Sequence, residues 1–167
     1  RTGRRFCYQH EDGLRPDVLI LGKALGGGVL PISAVTASAQ VLGLFRPGEH
    51  GSTFGGNPLA CAVAREALRV FVDEGLIERS ARLGEKLLTD LRSIAHPLIK
   101  EVRGRGLFVG LELKKEAGGA RKYCERLMEA GLLCKETHDD VIRFAPPLVI
   151  REEDLAYAVA EVRKLFA

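Results

Sequence analysis

The sequence predicts a folded protein that mixes helices and strands, of the α/β or α+β class. Short apolar runs that favour strands alternate with longer segments whose apolar residues recur at helical spacing. Of the 167 residues, 46% are hydrophobic and 28% are charged. That composition is typical of an ordinary globular protein and excludes disorder as the state of the whole chain.

The N-terminal third predicts two strands among glycine-rich segments. The run Val-Leu-Ile-Leu at 18–21 is bounded by an aspartate and a glycine, as a buried strand would be. A glycine-rich segment follows at 22–28, and a second strand is predicted at 32–36. The loop at 45–56 contains too many glycines for a regular element.

The rest of the chain predicts helices and strands in mixed order. Asn57 is a good N-cap and Pro58 suits the first helical position, so a helix is expected to begin there and to stop at Gly75. A Gly-Arg-Gly turn at 104–106 is expected to join two strands into a hairpin. The further predicted elements are helices at 76–96, 120–130 and from 152 onward, and strands at 99–102, 107–113, 132–134 and 141–145.

Lys23 is the first candidate functional residue. It follows the predicted buried strand and precedes three consecutive glycines, where a backbone can approach a ligand closely. A lysine in a partly dry pocket loses its proton readily and can form a Schiff base with an aldehyde. The alternative is a solvated loop lysine. A nucleotide-binding phosphate loop is excluded, because Ala24 stands where that motif requires serine or threonine.

The segment at 50–58, His-Gly-Ser-Thr-Phe-Gly-Gly-Asn-Pro, is the second candidate. The hydroxyls of Ser52 and Thr53 and the nearby backbone N–H groups lie just ahead of a predicted helix. This arrangement suits a phosphate group. The alternative is a mobile surface loop.

Arg143 is the third candidate, because it lies inside an otherwise apolar strand just before two prolines. A buried arginine needs an anionic partner, and its planar guanidinium suits a carboxylate bound through two hydrogen bonds. The alternatives are a structural ion pair and an outward-facing strand position.

Charge and residue spacing argue against several other classes of function. The net charge of +3 is small and evenly spread, so neither nucleic acid nor a membrane surface is expected as a partner. No apolar run reaches the roughly 18 residues of a membrane span, and the histidines show no metal-ligand spacing. The widely spaced cysteines predict a reducing, cytoplasmic location without disulfides: Cys7, Cys61, Cys124 and Cys134.

A lysine after a strand, a Gly-Ser-Thr loop and a carboxylate-binding arginine, in this order, resemble the class-III pyridoxal-phosphate (PLP) aminotransferases. The resemblance covers nearly the whole chain. The Lys-Glu-Thr-His and Ile-Arg-Phe-Ala-Pro-Pro-Leu stretches favour the ornithine-using branch over the acetylornithine and 4-aminobutyrate enzymes. The matching segments are 1–4, 15–28, 47–59, 102–107, 131–138 and 141–150.

The resemblance implies an α/β fold and a set of site residues. Residues 1–60 would be the end of the large PLP-binding domain of the fold-type-I transferases, and 61–167 the small C-terminal domain. Lys23 would bind PLP covalently, and Ser52 and Thr53 would contact its phosphate from the neighbouring subunit of a homodimer. Arg143 would bind a substrate carboxylate. The implied reaction transfers the δ-amino group of ornithine to 2-oxoglutarate.

The chain opens without methionine, and the resemblance implies that further coenzyme and substrate residues lie upstream. We therefore expect a piece of a longer enzyme that is inactive by itself. Two other interpretations stay open: another ω-aminotransferase of the same class, which would act on acetylornithine or 4-aminobutyrate, and a non-catalytic small-domain module.

Overall fold

A computed structural model describes residues 1–167 and divides into two compact units. The N-terminal unit is Tyr8–Gly75, and the C-terminal unit is Leu76–Ala167 together with Arg1–Cys7. Both units contain helices and strands, so the predicted mixture is confirmed. The expected division into a large-domain part and a small domain at residue 60 stays a prediction.

The N-terminal unit is built around a two-stranded antiparallel sheet and one long helix. The strands are β1 (Val18–Leu21) and β2 (Ala34–Ala37), and the helices are α1 (Ala39–Leu42) and α2 (Pro58–Asp73). The 3-10 helix Lys23–Gly26 and the last three residues of the 3-10 helix Cys7–His10 complete the list of regular elements in this unit.

Helix α2 begins where the sequence predicts. The Asn57 side chain accepts a hydrogen bond from the Ala60 N–H at 2.9 Å, and Pro58 is the first helical residue. The capping oxygen satisfies one of the amide donors that a helix start leaves without a partner. The sequence therefore determines the point at which the glycine-rich loop turns into α2.

Strand β1 lies at its predicted position, but the expectation that it is buried is wrong for this structure. Ile20 is 80% exposed and Val18 is 41% exposed. The sheet has only two strands, and nothing within the unit covers the face that carries these two side chains. The strand that follows is also shifted from its prediction at 32–36 to β2.

The C-terminal unit is a four-stranded antiparallel sheet with three helices. The elements are α3 (Leu76–Arg92), β3 (Ile99–Arg105), β4 (Phe108–Leu113), α4 (Arg121–Glu129), β5 (Lys135–Thr137), β6 (Val141–Phe144) and α5 (Glu152–Leu165). The strand order in the sheet is β3-β4-β6-β5, and all neighbours are antiparallel. A 3-10 helix, Lys115–Ala117, lies between β4 and α4.

One face of this sheet forms the hydrophobic core. Side chains alternate between the two faces along a strand, so β6 directs Ile142 and Phe144 to the core and Arg143 to the other face. Helices α3, α4 and α5 cover the core face with apolar side chains. The opposite face of the sheet carries most of the charged strand residues, together with the apolar side chains of Phe108 and Val141.

The hairpin between β3 and β4 is tighter than predicted. Strand β3 continues through Arg105, which pairs with Phe108, so only Gly106 and Leu107 form the turn. Gly106 has a φ of +54°, in the left-handed region that glycine adopts without strain. A Cβ on Gly84 of α3 would lie 2.0 Å from the Gly106 carbonyl carbon, so the helix can approach the turn only without a side chain there.

The predicted strand at 132–134 is wrong. The Leu132 N–H donates to the Leu127 carbonyl, and the Cys134 N–H donates to the Leu132 carbonyl. These local hydrogen bonds continue the end of α4, so pairing with β6 begins only at Lys135.

Neither α1 nor the three 3-10 helices was predicted from the sequence, because these elements are too short to show an apolar periodicity.

The remaining predictions about the chain concern cysteines and membranes. All four cysteines are free thiols, as expected. None of the helices has the length and apolar character that crossing a bilayer requires.

Candidate active site

A cavity of about 660 Å³ in the N-terminal unit brings two of the candidate residues together. Lys23 lines it, and so does Ser52 of the loop ahead of α2. Two segments supply the remaining lining, residues 28–33 and 54–57. The cavity therefore combines a primary amine, a hydroxyl and the approach to a helix N-terminus.

The backbone of Lys23 is in an unusual conformation. Its φ is +50°, within the left-handed region that costs a residue with a side chain about 1–2 kcal/mol. Such conformations persist only where the surrounding structure holds them in place, and they occur often at functional sites. Lys23 opens the 3-10 helix Lys23–Gly26, which directly follows β1.

The glycines after Lys23 allow helix α2 to pack against this turn. A Cβ on Gly27 would lie 3.1 Å from the Cβ of Ala67 on α2, and Gly27 itself has a φ of +62°. The close contact holds the 3-10 helix against α2. The glycine run thus positions the lysine as well as leaving room near it.

The side chain of Lys23 is exposed in this structure and makes no ion pair within the chain. The partly dry pocket expected from the sequence is therefore not present in these residues by themselves. Lys23 remains open to a ligand from the cavity side.

The loop that contains Ser52 and Thr53 has backbone N–H groups that donate no hydrogen bond to the backbone. The Ser52 Oγ accepts the Gly55 N–H at 3.0 Å, which closes a tight turn. The N–H groups of Thr53 and Gly56 make no backbone hydrogen bond. Both groups lie just ahead of α2, whose N-terminus carries partial positive charge. An anion is the ligand that this loop suits.

Thr53 occupies a different position from Ser52. Its side chain is exposed and is not part of the cavity lining. The structure thus brings Lys23 and Ser52 to one cavity of the chain, and Thr53 does not line that cavity.

Arg143 lies in the C-terminal unit, on the sheet face opposite the core. Its strand, β6, is flanked by β4 and β5, and the residue is half-buried. No carboxylate of the chain forms an ion pair with it. The ion pairs on this part of the sheet join other residues: Lys100 with Glu112, Arg103 with Glu101 and Glu112, and Arg121 with Glu136. Arg143 is therefore not part of a structural ion pair within this chain.

A cleft of about 520 Å³ lies beside Arg143. Thr137, His138, Arg103 and Arg105 contribute polar groups to its lining. Gly110 of β4 lies directly opposite Arg143 and contributes no side chain. Gly110 is not recognisable as a site residue from the sequence, because its place beside Arg143 depends on strand pairing between residues 110 and 143, which are 143 − 110 = 33 positions apart.

The structure contains no group of three or more metal-ligating side chains, so it identifies no metal site.

Burial raises the pKa of the Cys134 thiol to about 11, and burial also raises the pKa of Cys124. Both thiols therefore stay protonated near neutral pH and are poor nucleophiles.

Comparison with known proteins gives a consistent match along the chain. The family profile described as Aminotransferase class-III matches residues 1–166. Ornithine aminotransferase 2 of Staphylococcus saprophyticus is 60% identical over 166 residues, which are 99% of this chain and 41% of that protein. The ornithine aminotransferase of Bacillus subtilis is 60% identical over 163 residues, 98% of this chain and 40% of that protein. The chain thus spans about 40% of the length of the curated relatives it matches.

Solved structures match equally well. The crystal structure of ornithine aminotransferase from Toxoplasma gondii superposes with a TM-score of 0.94 at 48% identity, covering 99% of this chain and 40% of that one. Acetylornithine aminotransferase from Elizabethkingia anophelis gives a TM-score of 0.91 at 46% identity, covering 99% of this chain and 42% of that one.

Proposed function

Because the chain belongs to the class-III aminotransferase family, we propose that it is the C-terminal part of a PLP-dependent ornithine aminotransferase. The enzyme transfers the δ-amino group of ornithine to 2-oxoglutarate and yields glutamate semialdehyde and glutamate. The observation that carries the choice of substrate is the 60% identity to ornithine aminotransferases along 99% of the chain.

The residues of the N-terminal unit fit PLP chemically. PLP carries an aldehyde and a phosphate. The cavity contains the amine of Lys23, which can form a Schiff base with the aldehyde. The spare N–H groups of Thr53 and Gly56, with the Ser52 hydroxyl and the start of α2, suit a phosphate, which in the homodimer proposed below belongs to the PLP held by Lys23 of the neighbouring subunit. A Cβ on Gly56 would meet nothing within 4 Å, so the loop is open at the point where a phosphate would approach.

When bound, PLP supplies the electron sink that stabilises negative charge on the substrate carbon. Lys23 has two roles in the proposal. Its Nζ holds the cofactor between turnovers, and it then moves a proton between the amino-bearing carbon of the substrate and C4′ of the cofactor. The left-handed backbone of Lys23 and the contact of Gly27 with α2 support these roles, because they hold the start of this side chain in place.

Arg143 binds a substrate carboxylate through its two-pronged guanidinium in one half-reaction. In the other half-reaction it pairs with a glutamate from another part of the protein. Its half-buried position in β6 and the absence of an ion pair within this chain support this role. A guanidinium that no carboxylate of its own chain neutralises is available to a carboxylate ligand.

We further propose that the enzyme is a homodimer in which Ser52 and Thr53 contact the PLP phosphate of the neighbouring subunit. The exposure of both side chains supports this arrangement, because an exposed hydroxyl is accessible to a group held by another subunit. Exposed apolar residues of the same unit, among them Phe54 and Leu59, fit an interface that buries them.

Steady-state assays of the full-length enzyme with three amino donors test the proposed reaction. We expect ornithine to give a higher kcat/KM than N-acetylornithine or 4-aminobutyrate, with 2-oxoglutarate as acceptor. Faster turnover of N-acetylornithine would assign the protein to the function named for the Elizabethkingia neighbour. No visible absorbance band after incubation with PLP would instead favour a non-catalytic module.

Replacement of Thr53 by alanine tests the phosphate contact. We expect Thr53→Ala to weaken PLP binding by about 0.5–1.5 kcal/mol, or up to about 3 kcal/mol where the hydrogen bond is charge-assisted, because one donor to the phosphate is lost. The measurement is the PLP dissociation constant of the full-length enzyme, followed by absorbance or fluorescence. Thr53→Ser keeps the hydroxyl and should bind PLP normally.

A hybrid dimer identifies which subunit supplies the loop. We expect a hybrid of one Lys23→Ala chain and one Thr53→Asp chain to recover activity that neither parent dimer has. If the loop acts across the interface, one site of the hybrid contains both an intact Lys23 and an intact Thr53. No recovery would show that Thr53 acts within its own chain. Unchanged PLP affinity in Thr53→Ala would mean that the loop is structural only.

A further inference from the structure

A row of four residues crosses the exposed face of the C-terminal sheet through Arg143. The strand pairing places Arg103 opposite Gly110, Gly110 opposite Arg143, and Arg143 opposite Lys135. Residues directly opposite in antiparallel strands direct their side chains to the same face, with Cβ atoms about 4.5–5.5 Å apart. Three of the four residues in this row are therefore cations that share one face.

Arg143 and Lys135 form a pair of like charges with no carboxylate between them. Like charges directly opposite in a sheet are destabilising. Lys135 is exposed and Arg143 is half-buried, and neither takes part in an ion pair. An anion bound between these two side chains would relieve their repulsion.

The carboxylates near this row are already engaged. Glu112 of β4 pairs with both Lys100 and Arg103, and these contacts hold the pKa of Glu112 below its usual value. Glu136, the neighbour of Lys135 in β5, pairs with Arg121 at 3.2 Å. Arg103 is thereby neutralised within the chain, which leaves Arg143 and Lys135 as the cations of the row that lack a counter-charge.

Gly110 keeps the space beside Arg143 open on the other side. A Cβ there would lie 3.1 Å from the Val141 Cγ1, so even a small side chain would be crowded. The cleft of about 520 Å³ extends along this side of Arg143. A ligand can thus reach Arg143 from the Gly110 side. Lys135 does not line this cleft and lies directly opposite Arg143 on the β5 side.

We propose that Lys135 is a second cationic contact for the substrate carboxylate that Arg143 binds, so that the two residues form one carboxylate subsite across strands β5 and β6. The inference rests on the proposed role of Arg143 in binding the oxo-acid substrate. Arg143 contributes the bidentate geometry. Lys135 contributes a compact positive charge on a flexible stem, which needs no fixed direction of approach.

The substitution Lys135→Gln in the full-length enzyme tests this subsite. We expect Lys135→Gln to raise the dissociation constant for glutarate, an unreactive dicarboxylate, and the KM for 2-oxoglutarate, each by about threefold to tenfold, as for a partly solvated charge-assisted contact. Isothermal titration calorimetry gives the first value without any turnover. Lys135→Arg keeps the charge and should restore both values.

Lys115→Gln is the matched control, because Lys115 is also an exposed lysine of the C-terminal unit without an ion pair, outside the row. It should leave glutarate binding unchanged. Equal loss of affinity in both variants, or unchanged affinity in Lys135→Gln, would overturn the subsite. Failure of the wild-type enzyme to transaminate ornithine would overturn the proposed function instead, since glutarate binding is measured independently of the amino donor.

Discussion

Replacement of Lys23 by alanine in the full-length enzyme is expected to lower turnover by at least about 10²–10⁴-fold, the usual contribution of a positioned proton-transfer group. The loss should be larger still where covalent attachment of PLP is also needed. The measurement is kcat for the ornithine reaction at saturating PLP. The fold should be retained, because the Lys23 side chain is exposed and contacts no ion-pair partner in the chain.

Two controls separate chemistry from structure at Lys23. Borohydride reduction of the PLP-loaded enzyme followed by peptide mapping should label Lys23, and a label on another lysine would contradict its assignment. Lys23→Gly should be as inactive as Lys23→Ala but more stable than it by about 1 kcal/mol, because glycine adopts a φ of +50° without strain. Thermal unfolding of the two variants measures that difference.

Replacement of Arg143 by lysine is expected to lower kcat/KM for 2-oxoglutarate by about 10–150-fold. Lysine keeps the positive charge but loses the two parallel hydrogen bonds, and a contact of this kind contributes about 1.5–3 kcal/mol. The visible spectrum of bound PLP should stay normal, because the proposed ligand of Arg143 is the substrate carboxylate and not PLP. Stopped-flow measurement of each half-reaction locates the loss.

Arg126→Lys is the matched control for Arg143→Lys. Arg126 is an exposed arginine on α4, and α4 packs on the opposite face of the same sheet. It should leave both half-reactions unchanged. If Arg143→Lys also leaves both unchanged, Arg143 serves the structure alone, and the proposed choice of substrate loses its main support within this chain.

The exposed apolar surface of the N-terminal unit accords with the limited span of the chain. Ile20 and Phe54 are each 80% exposed. The chain spans about 40% of the length of its curated relatives. The functional predictions therefore concern the full-length enzyme.

Local features of the sequence were sufficient for several elements. The Asn57-Pro58 start of α2 depends on a side chain and an amide three residues apart, and the apolar periodicity of α3 lies within a single helix. The same holds for β1, whose four apolar residues lie between an aspartate and a glycine. Interactions of this kind involve neighbouring residues, so their residue types alone predict them.

Other features depended on residues that are distant in the chain. The start of β5 at Lys135 was not predictable, because the preceding residues are apolar enough for a strand and only their hydrogen bonds to the end of α4 exclude one. The exposure of β1 likewise follows from a sheet of two strands rather than from the composition of the strand.

The sequence by itself determined the mixed helix and strand content, the start of α2, and the four residues that lead to the proposed chemistry: Lys23, Ser52, Thr53 and Arg143. Only the tertiary structure decided what surrounds them. It places Ser52 in the cavity of Lys23, and it places Gly110 and Lys135 on either side of Arg143. Strand register and loop closure bring together residues that are far apart in sequence, so the composition of a short segment does not predict which residues will be neighbours.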